Sequence, residues 1–283
     1  MNKKMRLLVI GHSVFDVIED GFSIRKSPGG IFYTIYALNK IKNTEDEIFL
    51  CSCFDDETFH YFESEFDKVN ISLLNKIEKI SRVNLKHLPG KERNEKYENI
   101  NQPLNITLSD YNSFDGILIN MITGFDITLD QLKDIRKKFY GTIFMDVHTL
   151  SRGLDENQSR NFRLIPEFEN WAKCLDVVQV NQKEVFTLLP LDSEIDIAIK
   201  LLDIGVKVLC VTKGSYGAKV YIKNNEEAVS FFIAANKLEQ VLSVGCGDVF
   251  GSAFFYNYIR NNDVRLSLQQ AIYNSELFVA AKF

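Results

Sequence analysis

The chain has 283 residues, 46% of them hydrophobic and 25% charged, with a formal net charge of −5. That length can bury a large core in one or two domains. The acidic balance excludes the clustered Lys and Arg of a broad nucleic-acid surface, while a small anionic ligand held by backbone amides stays open. Behind Lys3, Lys4 and Arg6, the run Leu7–Ile10 is far too short for a secretion-signal core. No stretch approaches the roughly 20 apolar residues of a membrane span. Cys51, Cys53, Cys174, Cys210 and Cys246 are odd in number and mostly sit in apolar runs. They read as buried thiols of a reducing cytoplasm rather than disulfides, and Cys51 and Cys53 lack a partner pair for a zinc site.

In chain order, LLVIG predicts a strand and GGIFYTIYALNKI a helix entered through glycines. EIFLCSCF is strand-like and DETFHYFESEF helical, followed by FDGILINMI (strand) and TLDQLKDIRKKF (helix). GTIFMDV predicts a strand, RNFRLIPEFENWAK a helix, DVVQV a strand, and two helices run through IAIKLLDIG. VKVLCVT is the last clear strand, and helices beginning near Gly247 and Leu266 close the chain. Strands this apolar are covered on both faces, which predicts a single three-layer α/β/α domain over 1–283 with a mostly parallel central sheet. Asp16–Pro28 and Ser81–Leu108 break the rhythm with polar sequence, the second having β-like ends at SRVNLKHL and NITL. Composition alone leaves two readings for them: a small β-flap or lid, from about 17–28 and 82–108, or mobile surface loops.

Near the C-terminus, Gly245, Cys246 and Gly247 precede a helical pattern carrying Val249, Ala253 and Tyr256. Glycines permit an unusual turn, and the first amides and dipole of the helix then favour an anion. Asp248 is either a first-turn acid that suits the dipole or a base held beside a bound phosphate. The chain has no G-x-x-x-x-G-K-[ST] loop, and GCGDVFG misplaces its third glycine for a dinucleotide fingerprint.

With these residues in view, the chain resembles the ribokinase-like family of carbohydrate and nucleoside kinases, whose late signature is D-T-x-G-A-G-D. Gly245, Cys246, Gly247 and Asp248 match its G-A-G-D portion. In order along the chain, Gly11 to Asp16 resembles its G-x4-D, Gly29-Gly30 its substrate-side glycine pair, and Asp55-Asp56 its G-D-D turn. Asp146 resembles its acid after a central strand, Asn181 to Glu184 its N-x-x-E, and VTKGSYGA its V-T-x-G-x-x-G. Departures lie at Leu242, where many members place an acid that helps hold a monovalent cation, and at Val14 and Thr34, where two asparagines are frequent. Potassium activation is therefore not carried over, nor is ribose as the acceptor.

The resemblance implies transfer of the γ-phosphate of ATP, with Mg2+, to a hydroxyl of a small sugar or nucleoside. It implies that Gly245, Cys246 and Gly247 donate to phosphate oxygens and that Asp248 accepts the acceptor's proton. Asp16, read as lying at the end of the first strand, would meet the acceptor together with Gly29, Gly30 and Thr34, while Thr212, Gly214, Gly217 and Asn274 would border ATP. Asn181 and Glu184 would support ATP phosphates and hydrated Mg2+ through water. The same pair also reads as a helix cap, with Asn at the cap and Glu reaching back. Asp146 and His148 form D-x-H without an evident third ligand, and His12, His60 and His87 show no catalytic pattern. If the lid strands expose apolar faces, two copies could pair through them. Two alternatives stand beside the kinase: a catalytically weak sugar- or nucleotide-binding regulatory protein on the same fold, motivated by Leu242, Val14 and Thr34, and a dinucleotide oxidoreductase, supported only by alternating elements and glycines.

Overall fold

A computed structural model describes residues 3–19, 24–86, 94–156, 159–236 and 244–281. The first half runs β1 (Arg6–Ile10), β2 (Ser13–Glu19), β3 (Ile24–Gly30), α1 (Ile31–Ile41), β4 (Glu47–Phe54), α2 (Glu63–Phe66), β5 (Asn70–Lys76), β6 (Ser81–Lys86), β7 (Asn94–Glu98) and β8 (Gly116–Asn120). Then come α3 (Leu129–Lys138), β9 (Thr142–Asp146), β10 (Arg152–Leu154), β11 (Arg160–Phe162), α4 (Phe168–Ala172) and β12 (Val177–Asn181). The remainder is α5 (Glu194–Ile204), β13 (Val208–Thr212), β14 (Gly217–Asn224), β15 (Glu227–Ala234), α6 (Cys246–Asn261) and α7 (Val264–Ala280).

Nine strands form the central sheet in the order β15-β14-β13-β12-β9-β8-β1-β4-β5. All neighbours are parallel except at one end, where β14 runs antiparallel to both β13 and β15. GILIN of β8 is buried throughout, and VVQV of β12 and VLCV of β13 are buried up to their last residue, as expected of strands covered on both faces. Helices α1, α6 and α7 pack on one another as one layer, and α3, α4 and α5 follow one another in another. Phe254 and Phe255 of α6 meet Phe144 of β9 at ring-centroid distances of 6.2 and 5.9 Å, which anchors α6 to the sheet. Caps fix helix entries: Thr128 and Gln131 form a reciprocal capping box at α3, and Ser193 and Asp263 cap α5 and α7.

A separate four-stranded sheet, ordered β3-β2-β6-β7, stands off the main one. It consists of two antiparallel pairs joined by parallel β2 and β6. Val14, Val83 and Tyr97 of this sheet cluster with Ile122, just beyond β8, as a small second apolar core. Parts of the expected lid, 20–23 and 87–93, lie outside the described residues, as do His87, Leu242 and Ser243.

Four local expectations are corrected. RNFRLIPEFENWAK is not one helix: Arg160–Phe162 pairs with Arg152–Leu154, and α4 begins only at Phe168. Pro166 accounts for this, because it disfavours helical backbone at the preceding residue. DETFHYFESEF gives only a 3-10 turn at Phe59–Tyr61 and the single turn α2, consistent with the rotamer freedom its crowded aromatics would lose in a helix. NITL is irregular, and the strand paired with β6 is instead the polar NEKYE of β7. Asp16 is not at the end of the first strand but within β2, opposite Ser27, because the chain leaves the main sheet at Gly11-His12. His12, fully buried, secures that exit: its amide donates to Asp126 Oδ1 at 2.7 Å, and its ring lies 2.9 Å from Thr123 Oγ1 and 3.1 Å from the Gln102 carbonyl.

Candidate active site

In an open parallel sheet, ligands collect outside the carboxyl ends of the strands, where the strand order reverses direction. Here β1 sits between β8 and β4, and the ends of β8, β9, β12 and β13 carry Asn120, Asp146, Asn181 and Thr212. A cleft of about 620 Å³ opens along these ends. Its walls include Asp146, Asn181 and Thr212, the N-terminus of α6, and Val14, Asp16, Val83 and Tyr97 of the small sheet.

Gly245 adopts φ 85°, and a Cβ built there would come within 2.6 Å of the Tyr33 ring. Both facts require glycine, since positive φ and the close ring exclude a side chain. The turn aims the start of α6 into the cleft, and helix geometry directs its first-turn amides, Gly247 among them, past the helix end. Asp248 lies in that first turn, 7% exposed, and lines the same cleft. Its Oδ1 accepts a 2.7 Å hydrogen bond from Asn120 Nδ2.

On the opposite side of Asp248, Asp16 and Gly30 line the cleft. Gly29 is buried behind them, and a Cβ there would fall 2.2 Å from Asp16 Oδ2, so the acid occupies the space that a side chain would need. Thr34 does not reach the cleft: it is fully buried, and its hydroxyl accepts from Asn120 Nδ2 at 3.1 Å. Gly29 and Thr34 are therefore corrected from wall residues to supports.

Toward the other end, Asn181, Glu184, Thr212, Gly214 and Gly217 border the cleft. Asn181 Oδ1 accepts from the amides of Lys183 and Glu184 at 2.8 and 2.9 Å, and Glu184 Oε2 accepts from the Asn181 amide at 2.9 Å. The reciprocal cap read from N-x-x-E is thus present, holding both side chains at the cleft wall. Asn274 is corrected: it does not line the cleft, and its Nδ2 donates to the Gln270 carbonyl one turn back along α7. From that helix Ile272, Ser275, Glu276 and Val279 face the cleft, with Glu276 accepting from the Asn236 amide and Nδ2 at 2.6 and 2.9 Å.

Between the two ends sits Asp146, 4% exposed. Burial pushes its carboxyl well above the usual range, and the negative charges of Glu184 and Asp248 push it further. Asp146, Glu184 and Asp248 thus repel one another within the cleft, whose lining also includes Arg152 and Lys183. Among the described residues, no group of three or more His, Cys, Asp and Glu is arranged to hold a metal ion directly. His148 bonds to Thr149 Oγ1 at 2.6 Å.

Asn120, Gln179, Tyr33 and Arg152 escaped the sequence reading. A signal existed for the first two, each a polar residue in an otherwise apolar buried strand, GILIN and VVQVN. All five cysteines are free, four of them buried, and Cys246 is half-buried at the cleft. Burial pushes the Cys51 and Cys53 thiols up to about 12, so neither is a nucleophile. No helix among the described residues is long and apolar enough to cross a membrane.

Comparison with known proteins agrees with this geometry. Residues 149–282 match the pfkB family carbohydrate kinase model. Fructokinase-1 of Zea mays is 34% identical over 87 residues, 30% of this chain and 26% of the relative, so the match spans about a quarter of that protein's length. Among solved structures, a pyrophosphate-dependent kinase in the ribokinase family, complexed with a pyrophosphate analog and myo-inositol, superposes with a TM-score of 0.78 at 16% identity, covering 98% of this chain and 95% of the other. Arabidopsis thaliana ribokinase, complexed with ribose and ATP, gives 0.76 at 16% identity, covering 98% and 93%. Likeness at such identity carries the fold, and the expected three-layer architecture of the ribokinase-like kinases is borne out.

Proposed function

On the footing of a chain that has the ribokinase-like kinase fold throughout and matches a carbohydrate kinase family over residues 149–282, we propose that the protein transfers the γ-phosphate of ATP to a hydroxyl of a sugar or nucleoside. The observation that carries this reading is the meeting, in one cleft, of the α6 N-terminus, the buried Asp248 and the acid Asp16 of the small sheet.

Phosphoryl transfer asks chiefly for alignment and for neutralisation of charge. Amides at the turn Gly245–Gly247 would donate to the phosphoryl oxygens as they approach the acceptor. Asp248, a carboxylate too weak to ionise an alcohol beforehand, takes the hydroxyl proton as the new O–P bond forms and the bond to the ADP oxygen breaks. Asp16 accepts from other hydroxyls of the acceptor, and Val14, Val83 and Tyr97 offer an apolar surface to its carbon face. Thr212, Gly214 and Gly217 border ATP, and Ala235, Ile272 and Val279, which line the same cleft, offer apolar surface to its base. Glu184 and Asp146, with Asn181 fixed by the cap, would hold hydrated Mg2+, which when bound would neutralise phosphate charge. The mutual repulsion of the acids around Asp146 fits that role. The small sheet acts as the lid, excluding water and limiting futile hydrolysis.

The test is a panel of polyols, sugars and nucleosides offered with either ATP or pyrophosphate, in the presence of Mg2+, with phosphorylated product measured. ATP-dependent product from one acceptor class is the expected result. Product from pyrophosphate alone would move the donor assignment, because neighbours of this fold include both a pyrophosphate-dependent kinase and a ribokinase complexed with ATP. Binding without product from any pair would favour a regulatory protein.

A further inference from the structure

Asn120 closes β8 as its only polar residue, and it is 1% exposed. Its Nδ2 donates to two acceptors on two packed helices, Thr34 Oγ1 of α1 at 3.1 Å and Asp248 Oδ1 of α6 at 2.7 Å. Its own Oδ1 is buried without a hydrogen-bond partner. A buried amide in that state carries a desolvation cost, so the side chain is kept for what its nitrogen does. The orientation is fixed by charge: turned over, Oδ1 would face the Asp248 carboxylate.

From this geometry we infer that Asn120 is a positioning residue that holds the Asp248 carboxylate through Oδ1 and so fixes the direction in which it meets the acceptor's proton. This rests on the assignment of Asp248 as the base. Thr34 takes the second Nδ2 proton, which keeps the amide in plane between α1 and α6. The amide also favours the ionised carboxylate, because it donates to the charged form.

The test reads Asp248 both with and without substrate. In the full chain, carboxyl 13C NMR, with the Asp248 signal assigned by its loss in Asp248→Asn, gives the titration of that group. In Asn120→Leu, or Asn120→Ala if the larger side chain is not accommodated, the midpoint is expected to rise by about one pH unit. The acid limb of the kcat profile rises with it, kcat at neutral pH falls about tenfold, and the KM for the acceptor changes less than threefold. In the wild-type chain the Asn120 Nδ2 proton shifts follow the same titration, which needs no variant at this position. Unchanged Asp248 titration in the variant, or Asn120 amide shifts that ignore it, overturns the inference while leaving the kinase reading intact. Full turnover in Asp248→Asn removes the base assignment and the positioning inference together, whereas absence of any product, with the Asp248 titration still moved by Asn120, removes only the kinase reading.

Discussion

The side-chain amide of Gln179 donates to the carboxylate of Asp146 at 3.0 Å, and the same nitrogen lies 3.0 Å from the Gly247 carbonyl. One buried amide thereby ties the acid at the end of β9 to the first turn of α6, so the electrostatics of Asp146 and the placement of the anion-binding turn are mechanically linked. The raised carboxyl of Asp146 means that the folded chain binds a proton there that the unfolded chain releases above about pH 4. Stability from this group therefore falls as pH rises from that point toward its raised value. Asp146→Asn is expected to remove that slope, stabilise the fold at neutral pH by about 1 kcal/mol, or roughly 2–4 °C in Tm, and weaken the dependence of turnover on Mg2+. Denaturant titrations across pH, with Mg2+ titrations of activity, check both halves.

Asp248→Asn keeps the size of the side chain and removes its capacity to take a proton. Turnover is expected to fall about 10²–10⁴-fold, with Tm and nucleotide affinity near wild type. Calorimetric nucleotide binding beside steady-state rates separates this from a folding defect; undiminished turnover would remove Asp248 from its role.

Gly245→Ala meets both the φ of 85° and the Tyr33 ring. A loss of about 1–3 kcal/mol is expected, together with weaker phosphate-donor binding. Adding Tyr33→Ala relieves the contact but not the dihedral, so the double variant should recover only part of the stability. Full recovery would show that the backbone conformation is unstrained.

Far from the cleft, Asp46 accepts from the Met5 amide at 2.8 Å and from the Tyr256 hydroxyl at 2.7 Å, and pairs with Arg260. Burial alone would raise its carboxyl, but the Met5 amide, the Tyr256 hydroxyl and the Arg260 guanidinium together hold it below the ordinary range. Its contribution is present above about pH 4 and is lost as pH falls through its lowered value. Asp46→Asn is expected to cost about 2 kcal/mol at neutral pH and to flatten the acid side of the stability curve, measured by urea unfolding between acid and neutral pH. Kinetic constants should stay near wild type, since these residues brace α6 at its far end.

Six of the nine central strands were legible because they are short apolar runs between helical periods: LLVI, GILIN and VLCV read correctly for the same reason that they are buried, whereas β5, β14 and β15 were not read as strands. The glycine turn and Asp248 were legible as a local pattern. Asn120 was not, because its meaning depends on α1 and α6 arriving at one point from positions far apart in the chain. Thr34 and Asn274 failed in the opposite way. Each sits on the right helix, but one side chain turns inward to Asn120 and the other back along its own helix. Lid strand β7 was hidden because NEKYE has a single large apolar residue, Tyr97, and owes its conformation to β6.

Among the described residues, the small sheet is made of two local strand pairs joined by the parallel seam from Val14↔Ser81 to Glu19↔Lys86. Partners so distant along the polymer incur a loop-closure entropy that neighbours do not, and β4 and β5 intervene between them. During synthesis the front pair must wait for the rear one, so the cover over the cleft is completed only after the first strands of the body have been threaded. A chain that stops before β6 accordingly carries only half of that cover.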